Sequence, residues 1–232
     1  MKYEDDNFII YFHECDQTYI TKLIEILKER MPRILSFFKI NYQGKIVIKL
    51  YDDLYEYKEN LTASFEKEAK EESKKQGKEV EAREYHDWMI ANTEDGNINM
   101  QSLYLVHQID DFKNYTEEEF LLNACHEFTH LCQQQTTSTS PGWFWEVLAT
   151  TLGNPECQHE TTIPFTIQDL EERFDEIDGY GATYKIGKCL FQKYDEEYIE
   201  SLIHDNEKMY KIIEVIITDI NDKKGGQYAR RS

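Results

Sequence analysis

His126, Glu127 and His130 stand in the order His-Glu-x-x-His, with Phe128 and Thr129 between them. On a helix, two histidines four residues apart lie about one turn apart on the same face, so both imidazoles can reach one cation. Glu127 sits beside that face, where its carboxylate can touch a water on the metal without ligating the metal. The chemistry offered is hydrolysis by an activated water. As a bare pattern the match is not rare, so its surroundings decide how it is read.

The surroundings read as a helix. Thr116 and Glu119 form a capping box, the hydroxyl bonding the Glu119 amide and the carboxylate bonding back. Glu117, Glu118 and Glu119 place three carboxylates at the positive end of the helix dipole. Phe120, Ala124, Phe128 and Leu131 recur at helical spacing as a buried stripe, with His126, Glu127 and His130 to one side of it. The alternative is a surface helix with two incidental histidines. Zinc in a hydrolase takes three protein ligands and leaves a fourth position for water. Ser140 to Gly153 supplies the third candidate. Ser140 reads as N-cap, Pro141 as the first helical residue and Gly153 as the stop. Glu146 then lies mid-helix in an apolar segment, where an unpaired carboxylate is costly and a nearby cation would offset that cost. The polar loop from Gln133 to Ser140 is long enough to turn the chain back and face Glu146 toward the histidines. Glu146 on a solvent face is the competing reading. Neutral imidazoles and one carboxylate suit Zn²⁺, one per chain, better than calcium or magnesium. Thr150, one turn after Glu146, could hydrogen-bond a ligand.

His126-Glu127-x-x-His130 followed by Trp143-x-x-Glu146-x-x-Ala149 resembles the gluzincin branch of the zincin metallopeptidases. The likeness is greatest to small stand-alone peptidase MA-like domains, which are related to the thermolysin and aminopeptidase catalytic domains. It implies His126, His130 and Glu146 as zinc ligands and Glu127 as general base. The run Asp178-Gly179-Tyr180-Gly181-Ala182-Thr183-Tyr184 resembles the helix start that follows in those domains and often brings a tyrosine near the active site. Tyr180 and Tyr184 are thus candidate oxyanion donors, with ordinary aromatic packing as the alternative. Gln133 and Thr136 occupy the places where a metzincin would carry Gly and His, which excludes that class. Val147 stands where many gluzincins have Gly, and the interval from His130 to Glu146 is shorter than in large aminopeptidases; neither departure removes a ligand. The resemblance spans about residues 8–205, and only the two ligand helices are specific.

The chain of 232 residues carries 26 basic and 45 acidic side chains, a formal net charge of −19. Charge of that sign repels phosphate backbones and anionic membranes, so neither nucleic acid nor membrane is an expected partner. It could favour basic peptides, though solubility accounts for it as well. No run approaches the ~20 apolar residues of a membrane span, and Met1 to Asn7 has no basic start leading into an apolar stretch. A cytoplasmic location is expected. Cys15, Cys125, Cys132, Cys157 and Cys189 are scattered and odd in number, as reduced thiols are.

The elements that must hold these residues read as an α+β, zincin-like domain over 1–232. An αβ lobe of about 7–135 holds a small mixed sheet, a helical lobe covers about 141–222, and the active-site cleft lies between. Expected strands are Asn7–Phe12, Lys45–Tyr51, Asp87–Asn92 and Asn97–Val106, the last two joined at Asp95-Gly96. Asp16 should cap a helix running from Ile20 to Phe38, possible kink at Pro32. The charged stretch of about 65–85 reads as a solvated helix or mobile insertion. Helices are expected over Thr166–Phe174, Tyr180–Tyr194, Glu196–His204 and Glu207–Ile220, with Lys223 to Ser232 frayed. His13, His86, His107, His159 and His204 lack partners at ligand spacing, and His159 is close enough in sequence to Glu146 to approach it. Three functions compete: a zinc hydrolase acting on peptide or protein substrates, a zincin-fold binding or regulatory protein that keeps the metal, and a structural protein with a chance motif.

Overall fold

The computed structural model describes residues 1–154, 161 and 164–228. The chain is mixed α+β, with a five-stranded sheet in its N-terminal half and helices in its C-terminal half. It forms two compact units, Met1–Lys28 with Gln43–Leu131, and Glu29–Tyr42 with Cys132–Ser232.

In the first unit, β1 (Lys2–Glu4) and β2 (Phe8–Tyr11) form an antiparallel pair in which Tyr3 stands opposite Ile10. Asp5 makes the turn by accepting the Asn7 and Phe8 amides, each at 2.8 Å. The strand β1 escapes sequence reading because it has three residues, two of them charged. Helix α1 (Ile20–Phe38) crosses over to β3 (Ile46–Tyr51), which lies parallel to β2 with Ile10 beside Ile48. Pro32 sits inside α1. Asp16 does not cap that helix: it closes a short 3-10 turn, is fully buried, and accepts the Tyr19 hydroxyl and the His13 amide.

Asp53 caps α2 (Leu54–Gln76), accepting from the amides of Tyr55 and Glu56. The helix buries Tyr57, Leu61, Ser64 and Phe65, and its charged second half extends to Gly77, whose φ of 66° ends it. Much of the charged run is therefore the solvated end of an anchored helix. Strands β4 (Ala91–Glu94) and β5 (Asn97–Gln101) form a hairpin at the expected Asp95-Gly96 turn, although β4 starts four residues later than the expected Asp87–Asn92; Asp95 and Gly96 have φ of 50° and 77°, as a tight primed turn requires. The sheet order is β1-β2-β3-β5-β4, with β5 parallel to β3 and β4 as antiparallel edge. The expected strand to Val106 stops at Gln101. Ser102 caps a helical turn, α3 (Leu103–Val106), by accepting the Leu105 amide at 3.2 Å. Helix α4 (Glu117–Gln133) follows, its start fixed by the Thr116–Glu119 box and by Lys22 on Glu117 at 2.6 Å.

The second unit is helical in its described residues: α5 (Gly142–Gly153), α6 (Ile167–Glu172), α7 (Gly179–Lys193), α8 (Glu196–Leu202) and α9 (Asn206–Tyr228), with the C-terminal part of α1. Pro141 is the N-cap of α5, one residue later than the sequence suggests, because the Ser140 hydroxyl is engaged by the Ile203 carbonyl at 3.1 Å. Helix α9 keeps helical backbone to Tyr228, past the point where fraying was expected. Residues 229–232 lie outside the described residues. Helices α5 and α7 approach closely at Gly187, where a Cβ would overlap the Thr151 hydroxyl and come within 3.1 Å of the Val147 carbonyl oxygen. Among the described residues no helix is long and apolar enough to cross a membrane.

Candidate metal centre

Helix α4 is apolar around most of its surface: Phe120, Leu121, Ala124, Cys125, Phe128 and Leu131 are all buried. Its histidines cannot swing far in such packing. His126 is 9% exposed, Glu127 is 6% exposed and His130 is half-buried. The two Nε2 atoms lie 3.0 Å apart with the rings at 78°. Two imidazoles on one tetrahedral zinc, with Zn–N of 2.0–2.1 Å, would place those nitrogens about 3.3 Å apart. The pair is thus set at close to zinc-ligand separation, and a small outward shift admits the ion.

Helix α5 buries Trp143, Phe144, Val147 and Leu148 and leaves Glu146 half-buried. Trp143 meets Tyr210 of α9 edge-on at 5.9 Å. The segment entering α5 is pinned by Ser138 on the Ile203 carbonyl at 2.6 Å and by Asn206 on the Thr139 carbonyl at 3.1 Å. Gln133, the last residue of α4, donates its amide to the Trp145 carbonyl at 2.9 Å, beside Glu146. These contacts fix the residue that sequence reading chose as third ligand. The ligand atoms of His126, His130 and Glu146 all lie within 4.8 Å of one another, and among the described residues theirs is the one such group of three. Two neutral nitrogens and one carboxylate oxygen fit zinc and fit poorly to the all-oxygen shells of calcium and magnesium.

Comparison with protein-family models, with curated proteins and with solved structures finds no match to this chain. Whatever function is assigned rests on the residues themselves.

Tyr180 stacks edge-on against Phe174 at 5.2 Å, and Tyr184 lies under the Lys188 ammonium at 5.7 Å; both start α7, four residues apart on one face. His13 pairs with Asp52 at 3.1 Å, His107 bonds the Tyr115 carbonyl at 2.7 Å, His204 approaches Glu200 at 3.5 Å, and His86 stacks on Trp88. His159 and Cys157 lie outside the described residues. Burial pushes the Cys132 thiol up to about 12, which suits a packed thiol rather than a ligand.

One residue beside this group escaped sequence reading. Gln133 could have been suspected as an uncharged polar residue closing an apolar helix.

Proposed function

We propose that this chain is a zinc-dependent metallopeptidase of the gluzincin type, with a zincin-like fold, acting on peptide or protein substrates. The convergence of the His126, His130 and Glu146 ligand atoms beside Glu127 carries the reading. A zinc ion held there would polarise a peptide carbonyl and lower the pKa of a coordinated water to around 7. His126 and His130 would hold the ion as neutral imidazoles, and Glu146 would add the one negative charge. Glu127 takes the proton of the attacking water and returns it to the leaving amine, as a general base and then acid. Its position in sequence, next to one of these histidines and three before the other, would set its carboxylate beside such an ion without making it a ligand. Tyr180 and Tyr184 are the proposed donors to the oxygen that gains charge, a role worth about 10²–10³-fold where one such donor has been removed. The edge strand β4 offers the substrate backbone a place to add as a further strand.

The test is zinc content and chelator-sensitive hydrolysis of a peptide library. Glu127→Gln keeps size and polarity but removes the base. It should bind zinc normally and lose hydrolysis by about 10²-fold or more. Full hydrolysis by that variant would remove the mechanism. Stoichiometric zinc without turnover on any peptide would favour a metal-retaining binding or regulatory protein instead.

A further inference from the structure

Tyr57 and Gln101 are both 0% exposed, and each keeps one oxygen without a hydrogen-bond partner among the described residues, the Tyr57 hydroxyl and Gln101 Oε1. Asn99, 2% exposed, adds its Oδ1 to them. Buried polar side-chain atoms in native proteins ordinarily have a partner, in the chain or in ordered water.

The fold brings the three residues together. Tyr51 ends β3 and Gln101 ends β5, side by side in the parallel register. The Tyr57 ring, one turn into α2, meets Tyr51 edge-on at 5.5 Å. Tyr85 and Met89 pack against that same cluster. Gln101 Nε2 reaches both, the Tyr85 hydroxyl at 3.5 Å and the Met89 carbonyl at 3.4 Å. The Met89 carbonyl fixes which way the amide faces, since only the NH₂ end can meet an acceptor. Turning the amide over would set two oxygens against each other. Asn99 stands two residues before Gln101 on β5, so both side chains leave the same side of the strand, about 7 Å apart. All of these residues belong to the unit that contains the sheet.

The phenol is a donor in need of an acceptor, and the two amide oxygens are acceptors in need of donors. We propose that the seam between the start of α2 and the carboxyl ends of β3 and β5 is a buried water site. One water accepts from the Tyr57 hydroxyl and donates to Gln101 Oε1. A second, hydrogen-bonded to the first, donates to Asn99 Oδ1. Water is the small ligand that meets both demands, because it accepts and donates at once. A bare monovalent cation among these oxygens would leave the phenol proton without an acceptor, and an apolar occupant would satisfy none of them. The start of α2 is thus tied to the sheet through solvent at a point where the chain makes no direct bond of its own.

The test is a crystal structure of the full chain at a resolution that shows ordered water, together with the melting midpoint of Tyr57→Phe. Density should lie within hydrogen-bond distance of both the Tyr57 hydroxyl and Gln101 Oε1. Tyr57→Phe keeps the ring and breaks no hydrogen bond within the chain, so the two accounts of the hydroxyl differ in sign. If it anchors water, its loss should lower the midpoint by about 2–4 °C. If it is buried dry, its removal relieves an unmet polar group and the midpoint should hold or rise. A midpoint that holds or rises overturns the proposal, and so does a seam without density. A wild-type midpoint that differs between KCl and NaCl at equal ionic strength, the difference vanishing in Tyr57→Phe, would overturn it in favour of a bound cation.

Discussion

Glu146 differs from most carboxylates of this acidic chain in standing on an apolar helix with its ligand atom near two imidazoles. Glu146→Ala should strip or greatly weaken zinc, read by metal analysis after dialysis; wild-type affinity in that variant would refute the assignment. Thr150 makes a finer test. The buried helical threonines Thr129, Thr151 and Thr183 return their hydroxyls to carbonyls three or four residues back, at 2.9, 2.7 and 3.0 Å. Thr150 is equally buried, yet its hydroxyl has no hydrogen-bond partner among the described residues, and it follows Glu146 by one turn. It is free to brace the ligand. Thr150→Val should weaken zinc by about 10–100-fold with the fold intact, measured by competition with a chromophoric chelator. The thiols add a pH-dependent prediction. Cys132 rises from its ordinary 9.0 to about 12 through burial. Its contribution to stability is complete below pH 9.0 and is lost as pH rises from there through about 12. At pH near 8, exposed Cys15 should alkylate in native protein, whereas buried Cys125 and Cys132 should react only after unfolding; fast native labelling of Cys132 would contradict its burial.

The helix that carries Glu146 depends on its neighbours more than on helix propensity. Helix α5 carries Gly142 at its start and Thr150 and Thr151 near its end, none a strong helix former. Packing compensates, and α7 supplies much of it. At Gly187 the absent side chain lets α7 approach the Thr151 hydroxyl, which is itself bonded to the Val147 carbonyl. Gly187→Ala must separate the helices or break that bond. A destabilisation of about 1–3 kcal/mol is expected from such overpacking, read by denaturant midpoint. Zinc affinity should fall with it, because α5 bears Glu146. An unchanged midpoint would show that α5 and α7 are not held at this position. Gln133, which ties the end of α4 to the Trp145 carbonyl, belongs to the same scale: it joins the two ligand helices through one amide.

Across the whole molecule, the proposed metal site would couple binding to folding. The histidines and Glu146 come from segments that an unfolded chain does not hold together, so a zinc ion bound as proposed would favour the native state. At free zinc of 1,000 times Kd the gain is about 4 kcal/mol, seen as a rise in melting midpoint that chelator reverses. His130→Ala should remove most of that rise, and a rise of wild-type size in that variant would place the metal elsewhere. The net charge of −19 acts in the opposite sense. Like charges repel in the compact state and salt screens them, so the metal-free protein should melt higher at high ionic strength than at low.

Short-range rules were enough for much of this. The Thr116–Glu119 box, the Asp95-Gly96 turn and the helical spacing of His126 and His130 depend on residues a few positions apart, and each appears where the sequence placed it. The same rules misjudged places where a distant group wins the contest. Ser140 yields the cap because the Ile203 carbonyl takes its hydroxyl, Asp16 turns to Tyr19, and Leu103 to Val106 curl into a helical turn once Ser102 caps them. Glu146 could be nominated from an apolar helix, but its approach to the histidines depends on packing between residues far apart in sequence. Only the tertiary structure brings the Glu146 oxygen within 4.8 Å of the imidazole nitrogens, since a helix pattern shows which face is inside and never which residue of another helix that face will meet.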